Sequence, residues 1–308
     1  MSRIHPTFYI ICETDAGRVL DQKDEHRLSQ PVTAALNGPA VGIILKELVR
    51  RAIVTIRNER QVFDVTNKTG YGGDMNDVFT SADRKAQEIY LKLLRECFPD
   101  HGIVAEEDAL SISAKNGVAG YFTVDPLDGT KAFIRRQSHG VSTMIALVED
   151  GRVAAAYVGD VNTQEIYGYR SGSGRVHRIT EFETAEELVV KPSVPAERYI
   201  LLRDPEHAYS QQSRTMIGRF KSFEVESGSI GTWMARLWKD EIGAVLIPPG
   251  FETPWDSSPI IGTSLTLGYR FYRSGGSGWV EYAPKPPLVP ERREHDTLII
   301  HPGSLAAV

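Results

Sequence analysis

The apolar positions of this chain fall into two rhythms. Val41, Ile44, Leu45, Leu48 and Ala52 recur at three-and-four spacing, with Lys46, Glu47, Arg50 and Arg51 between them. That pattern predicts an amphipathic helix over Ala40 to Arg57 with a charged outer face. A second helix is expected over Thr80 to Phe98. Thr80 is its N-cap, Asp83 stands three residues on as a weaker form of the capping box, Ala86, Ile89, Leu93 and Leu94 form its core face, and Pro99 closes it. Short apolar runs predict strands at Gln61 to Val65, Gly102 to Ala105, Gly120 to Val124, Val141 to Val148 and Val153 to Val158. The last two are joined by the turn Glu149-Asp150-Gly151.

After about residue 185 the texture changes. Strands are expected at Tyr199 to Leu202, Phe223 to Val225 and Ala244 to Ile247, a polar segment at Asp204 to Arg214, and helices at Gly228 to Asp240 and Asp256 to Gly268. Pro259 is expected in the first turn of the last helix, where proline is tolerated. The alternation marks an α/β half. The expected organisation is therefore an N-terminal α+β half, 1–185, and a C-terminal α/β half, 186–308, in one compact two-part unit. Residues 1 to 30 are polar and mixed in sign, either a flexible arm or a peripheral extension. The tail beyond Ser274 is rich in Gly and Pro and carries no predicted element.

Composition narrows the field. Of 308 residues, 41% are hydrophobic and 24% charged, which is ordinary for a packed protein and not for a disordered one. A net charge of −5 speaks against a broad nucleic-acid interface, which needs a basic face. The two cysteines, Cys12 and Cys97, cannot make a disulfide framework or a cysteine zinc site, so a reducing cytoplasm is expected. Met1 to Ile11 has no apolar core of signal-peptide length, and no stretch reaches the ~20 apolar residues of a spanning helix. No membrane partner is expected.

Three acidic points carry the chemistry. Glu106-Glu107 follows a short apolar strand. Asp125-Pro126-Leu127-Asp128-Gly129-Thr130 follows another. Trp255-Asp256 lies where a Pro-rich turn meets a helix. Strand ends are where α/β folds place ligands. Asp125 and Asp128, three apart on a turn, can converge on one point. Pro126 fixes a dihedral, and Leu127 can turn its carbonyl into the same space. Gly129 permits close backbone approach, and amides of a helix starting after it would face an anion such as phosphate. Hard oxygen donors of this kind suit Mg²⁺ or Mn²⁺ rather than zinc, and a cation would relieve the repulsion between the carboxylates.

Taken together, these segments resemble the inositol monophosphatase family of metal-dependent phosphatases, over residues from about 40 to about 270. The ordered set is Ala105-Glu106-Glu107, Asp125 to Thr130 and Trp255-Asp256, joined by Asp77-Val78-Phe79-Thr80-Ser81-Ala82-Asp83 and the loop lysine Lys68. The resemblance implies a layered α/β/α/β/α sandwich, usually homodimeric, that hydrolyses a small phosphorylated metabolite with two or three Mg²⁺ ions; Mn²⁺ is the substitute. It implies that Glu106, Asp125 and the Leu127 carbonyl hold one ion, and that Asp125, Asp128 and Asp256 hold a second. Thr130 and Asp83 would handle the attacking water with Glu106 close by, and the Gly129 and Thr130 amides would grip the phosphate.

The sequence departs from the family at Ala105, which replaces a glycine, and at Ser257-Ser258-Pro259 behind Asp256. It departs again at Pro249, where inositol phosphatases carry a sugar-binding glutamate. Lys131 and Phe133 resemble instead the branches acting on nucleotide bisphosphates or histidinol phosphate, with Lys131 a substrate contact or a solvated helix residue. Arg135-Arg136 is read as a second-anion site or a solvated pair, His139 as structural, and Trp233 and Trp238 as core. A metal-binding regulatory protein with the same fold is the non-enzyme alternative.

Overall fold

The computed structural model describes residues 37–71, 77–276 and 278–306. The expectation for residues 1 to 30, Cys12 and the glycines Gly72 and Gly73 lie outside the described residues. Helix α1 (Gly38–Glu59) buries Val41, Leu45, Leu48, Val49, Ala52, Ile53 and Ile56 along one stripe, as its spacing predicts. Asn37 caps it, and Pro39 sits in its first turn, where no amide is needed. A ribbon follows, β1 (Val65–Lys68) with β2 (Asp77–Thr80), antiparallel. The strand expected at Gln61 to Val65 is thus displaced toward Lys68. Val62 is 83% exposed, and its amide still bonds Glu59 O as the helix unwinds. Helix α2 (Ser81–Cys97) has the full capping box of Thr80 and Asp83.

Next come β3 (Gly102–Ala105), β4 (Ser111–Ile112), β5 (Gly120–Asp128), the one-turn helix α3 (Thr130–Ile134), β6 (Ser142–Glu149), β7 (Arg152–Asp160), β8 (Ile166–Tyr169), β9 (His177–Ile179) and β10 (Ala185–Glu187). They form an eight-stranded sheet in the order β10-β9-β8-β7-β6-β5-β3-β4. The pair β3–β5 is parallel and the other ladders are antiparallel. Its central strands are apolar on both faces, so it must be covered on both sides. Ile145, Leu147, Ala155 and Tyr157 face the core shared with α1 and α2.

The chain continues through β11 (Tyr199–Leu202), α4 (Gln211–Ile217), β12 (Ser222–Val225), α5 (Ile230–Trp238), β13 (Ala244–Ile247), β14 (Gly250–Glu252), α6 (Pro254–Thr266), β15 (Arg270–Gly275), β16 (Gly278–Tyr282), β17 (Glu291–Arg293), β18 (Thr297–Ile300) and α7 (Pro302–Leu305). Six of these strands form a sheet ordered β12-β11-β13-β18-β15-β16, and β14 pairs with β17. Met144 and Val158 of the first sheet meet Leu201, Val245 and Ile299 of the second in one core, with α5 and α6 between the sheets. The alternate residues Ile200, Leu202, Leu246, Leu298 and Ile300 face α4 on the far side. The layers are helix, sheet, helix, sheet, helix, the α/β/α/β/α sandwich expected.

Two readings are corrected here. The tail beyond Ser274 carries three strands, β16, β17 and β18, and β18 is fully buried at the centre of the six-stranded sheet. The last helix starts at Pro254, which takes the tolerated place at its start, so Pro259 falls inside the helix rather than in its first turn. Proline there removes the amide that would bond Trp255 O.

Candidate active site

Strand β5 builds the centre of the site through a bulge. Side chains alternate along a strand, so residues three apart point to opposite faces. Here Asp125 pairs with Met144 and Asp128 with Ser142, and the register shifts between them. Two residues of β5, Pro126 and Leu127, oppose only Thr143 of β6. The extra residue brings Asp125 and Asp128 onto the same face, toward α5 and α6. The Leu127 side chain is fully buried in the opposite core, and its carbonyl takes the Thr130 hydroxyl at 3.3 Å. Gly129 follows with φ +91°, and a Cβ there would lie 2.2 Å from Gly140 O, so only glycine fits this turn.

Asp128 is anchored on one oxygen. Its Oδ2 accepts from Ser229 Oγ (2.5 Å), Gly231 N (2.8 Å) and Ser142 Oγ (3.1 Å). Asp256 is the third residue of α6, where Thr253 Oγ1 donates to its Oδ2 at 2.7 Å and accepts from its amide at 3.4 Å. Asp125, Asp128 and Asp256 each offer a carboxylate oxygen within 4.8 Å of the others. Asp256 thus points toward the loop of Asp125 and Asp128, as the convergence of the three segments requires.

Glu106 lines the same cleft, which has a volume of about 390 Å³. Its Oε1 takes Lys68 Nζ at 2.8 Å, and the same ammonium reaches Glu107 Oε1 at 3.1 Å. Gln87 clamps the Glu107 backbone, donating to its carbonyl (3.0 Å) and accepting from its amide (3.1 Å). Ala105, where the family has glycine, places its methyl in the core at 0% exposure.

The electrostatics are those of crowded, buried acids. Burial pushes Asp125 well above the usual carboxylate range, reinforced by Glu106, Asp256 and Asp128. Burial and Asp256 push Asp128 up to about 7, against the hydrogen bonds of Ser229, Gly231 and Ser142. Burial pushes Glu106 up to about 8, opposed by Lys68 and reinforced by Glu107 and Asp256. Asp125 Oδ1 is buried and has no hydrogen-bond partner among the described residues. An orphaned carboxylate oxygen among like charges fits a hard divalent cation.

Beside the cluster, Asp83 Oδ2 takes Thr80 N (2.8 Å) and Thr80 Oγ1 (2.5 Å), leaving Oδ1 to accept the Thr130 hydroxyl at 3.2 Å. Burial raises the Asp83 pKa and the bonds from Thr80 oppose it. Gly129 and Thr130 line the cleft, and Lys131 lines it while exposed. Arg135 also reaches the cleft wall, whereas Arg136 turns away and donates to Gln61 O at 3.2 Å. Phe133 is fully buried against Phe63, with ring centroids 4.9 Å apart, so its role is packing. His139 is exposed, which corrects the structural reading. Trp233 and Trp238 are both buried as expected, but Trp233 also lines the cleft.

Several lining residues escaped the sequence reading. Arg203, Asp204, Ser227 and Gly228 border the cleft. Tyr71 stands over Phe251 and Trp255, with centroids 5.9 and 6.1 Å apart. Arg203 had a usable signal, since it directly follows the apolar run Tyr199 to Leu202, and strand ends host ligands.

The fold and site define a layered α/β sandwich built around an acidic, cation-ready cleft at strand ends. The chain belongs to the inositol monophosphatase family, whose model matches residues 40–217. The inositol-1-monophosphatase of Bacillus subtilis is 29% identical over 122 residues, 39% of this chain and 45% of that one. The Nus factor SuhB of Xylella fastidiosa is 30% identical over 140 residues, 45% of this chain and 47% of that one. The matches thus span about half the length of these curated relatives. The crystal structure of the extragenic suppressor protein suhB from Bartonella henselae superposes with a TM-score of 0.67 at 19% identity, covering 86% of this chain and 95% of that one. Among the described residues no helix is long and apolar enough to cross a membrane.

Proposed function

We propose that this protein is a Mg²⁺-dependent phosphomonoesterase acting on a small alcohol phosphate. The observation that carries this reading is the meeting of Asp125 and Asp128 with Asp256, 128 residues away in the chain, within 4.8 Å. Membership of the inositol monophosphatase family supports it. Glu106, Asp125, the Leu127 carbonyl, Asp128 and Asp256 would hold two or three Mg²⁺ ions, with Mn²⁺ as substitute. Such ions, when bound, supply Lewis-acid charge and make water more acidic.

The chain's own groups do the rest. The Thr130 hydroxyl donates to Asp83, so its lone pairs are free to accept from a water and hold it in place. Asp83 then receives the proton through Thr130, with Glu106 in the same cleft. The amides of Gly129 and Thr130 stand at the start of α3, where helix amides lack intrahelical acceptors and can donate to phosphate oxygens. Lys131 meets the substrate at the rim. A cleft of about 390 Å³ suits a small metabolite. A cytoplasmic homodimer is part of the same proposal.

The test is phosphate release by the full chain from a panel of inositol, sugar, nucleotide, histidinol and glycerol phosphates with Mg²⁺ or Mn²⁺. Release lost on chelation is the expected result, and silence across the panel would refute the reading. A second reading, metal binding without turnover, is favoured by Ser257-Ser258-Pro259 behind Asp256 and by the relative named as a Nus factor. Cation binding by calorimetry, with no product and no effect of Asp83→Asn, would favour it.

A further inference from the structure

Three helices start at the site, and the N-cap hydroxyl of each holds a carboxylate by one oxygen. Thr80 caps α2 and donates to Asp83 Oδ2 at 2.5 Å. Ser229 caps α5 and donates to Asp128 Oδ2 at 2.5 Å. Thr253 caps α6 and donates to Asp256 Oδ2 at 2.7 Å. An N-cap hydroxyl ordinarily serves its own helix by accepting from an amide. These oxygens do that as well, from Ala82 N (3.2 Å), Thr232 N (3.0 Å) and Asp256 N (3.4 Å). A hydroxyl has one proton to give, and here it goes to the acid.

The clamps are one-sided. Asp128 Oδ2 also accepts from Gly231 N (2.8 Å) and Ser142 Oγ (3.1 Å), so three donors surround it. Glu106 Oε1 is held likewise by Lys68 Nζ at 2.8 Å. At Asp83 the second oxygen is taken too, by the Thr130 hydroxyl. At Asp128 and Asp256 no hydroxyl or amide among the described residues donates to the second oxygen. The clamping groups have little room to turn, since Ser229 is 0% and Thr253 6% exposed.

Mg²⁺ and Ca²⁺ ask different things of such acids. Mg²⁺ demands near-octahedral geometry at about 2.0–2.1 Å, whereas Ca²⁺ takes roughly six to eight oxygens at about 2.3–2.6 Å, often with a carboxylate giving both of its own. For Asp256 to give two oxygens, the bond from Thr253 must break. For Asp128, three bonds must break. Each is a hydrogen bond to a charged group, which corresponds to about 10- to 100-fold in binding.

We infer that Thr253 and Ser229 are positioning residues that hold Asp256 and Asp128 to single-oxygen coordination, and so set the cleft against Ca²⁺ relative to Mg²⁺. This deepens the reading of these acids as the cation site and rests on it.

The experiment reads binding and coordination rather than turnover. Calorimetry on the full chain follows Mg²⁺ and Ca²⁺ separately in the natural protein, Thr253→Gly, Thr253→Ser and Ser229→Gly. Glycine caps a helix nearly as well as threonine but has no hydroxyl, so the helix start survives and the clamp does not. Thr253→Gly should lower the ratio of the Ca²⁺ to the Mg²⁺ dissociation constant about 10-fold or more, and Thr253→Ser should keep it within about 2-fold. Ser229→Gly leaves Asp128 two donors and should lower the ratio about 3-fold. Infrared difference spectra of the Ca²⁺-loaded proteins read the coordination itself. The gap between the antisymmetric and symmetric carboxylate stretches narrows when both oxygens bind, and it should narrow in Thr253→Gly but not in Thr253→Ser. Circular dichroism melts in EDTA check folding, and Ser229→Gly decides if Thr253→Gly does not fold. An unchanged ratio or an unchanged spectrum in the folded glycine variant, or a serine variant that behaves like the glycine one, overturns the inference and leaves the cation site standing. A natural protein that binds neither ion overturns both.

Discussion

Replacing Asp125 by asparagine should stabilise the metal-free protein while removing its activity. Asp125 is 2% exposed, has one orphaned oxygen and faces Glu106, Asp128 and Asp256. The cluster's pKa values show the size of the conflict. Asp128 rises from 3.8 to about 7 and Glu106 from 4.5 to about 8. Between these limits the folded state holds more protons than the unfolded one, so stability falls as pH rises from about 4 toward 8. Each unit is about 1.4 kcal/mol, and because the carboxyls share one electrostatic problem the shifts do not add. Removing one charge should therefore return roughly 2–5 kcal/mol at pH 8. For a chain of this size that is about 3–8 °C in Tm. Thermal melts in EDTA from pH 5.5 to 8.5 should show the natural protein losing stability with pH and Asp125→Asn following a flatter, higher curve. Mg²⁺ should raise Tm most at high pH for the natural protein and little for the variant, which should also release no phosphate. An equal or lower melting temperature for Asp125→Asn in EDTA at pH 8 would refute the account of the cluster.

Three further outcomes are expected. Gly129→Ala must place a methyl against Gly140 O with φ positive, so it should cost about 2–4 kcal/mol in chemical denaturation and lose turnover with it. Thr130→Val keeps the shape but removes the hydroxyl between Asp83 and the Leu127 carbonyl; kcat should drop about 10²-fold or more with KM little changed, and a normal kcat would remove Thr130 from the chemistry. Leu298→Ala, in the central strand β18, should cost about 2–5 kcal/mol in urea denaturation, whereas a peripheral tail would lose almost nothing.

The parts of the fold that the sequence announces are those with local causes. Thr80 and Asp83 declare the start of α2 because a capping box is complete within four residues. Gly102–Ala105 and Ala244–Ile247 are short apolar runs bounded by breakers, and their strands begin and end there. Strand β18 has the same texture, but it follows a polar Gly- and Pro-rich stretch, and its place beside β13 and β15 is a long-range fact. The acidic segments were legible in order and in type. Their convergence was legible through the resemblance, while the bulge that permits it depends on the β5–β6 register. Trp233 shows a different limit: a periodicity argument assigns it to the core, which is correct, but cannot tell which core residue also borders a cleft. Arg203 and Arg135 line the one cleft from segments far apart in the chain, so no local window contains both.

The mismatch of one residue between β5 and β6 has a use beyond this molecule. In a pleated ribbon a side chain's face depends on whether its number is odd or even, and an inserted residue inverts that parity for everything downstream. Deleting either Pro126 or Leu127 would restore the ordinary count and leave the Asp128 carboxylate two residues from Asp125 on the same side of the sheet, but would remove the extra backbone unit on which the turn through Leu127 and Gly129 is built. Conversely, two acids two apart on any paired strand already share a side, and one residue added between them as a bulge would put an extra backbone carbonyl beside them without moving the rest of the ladder.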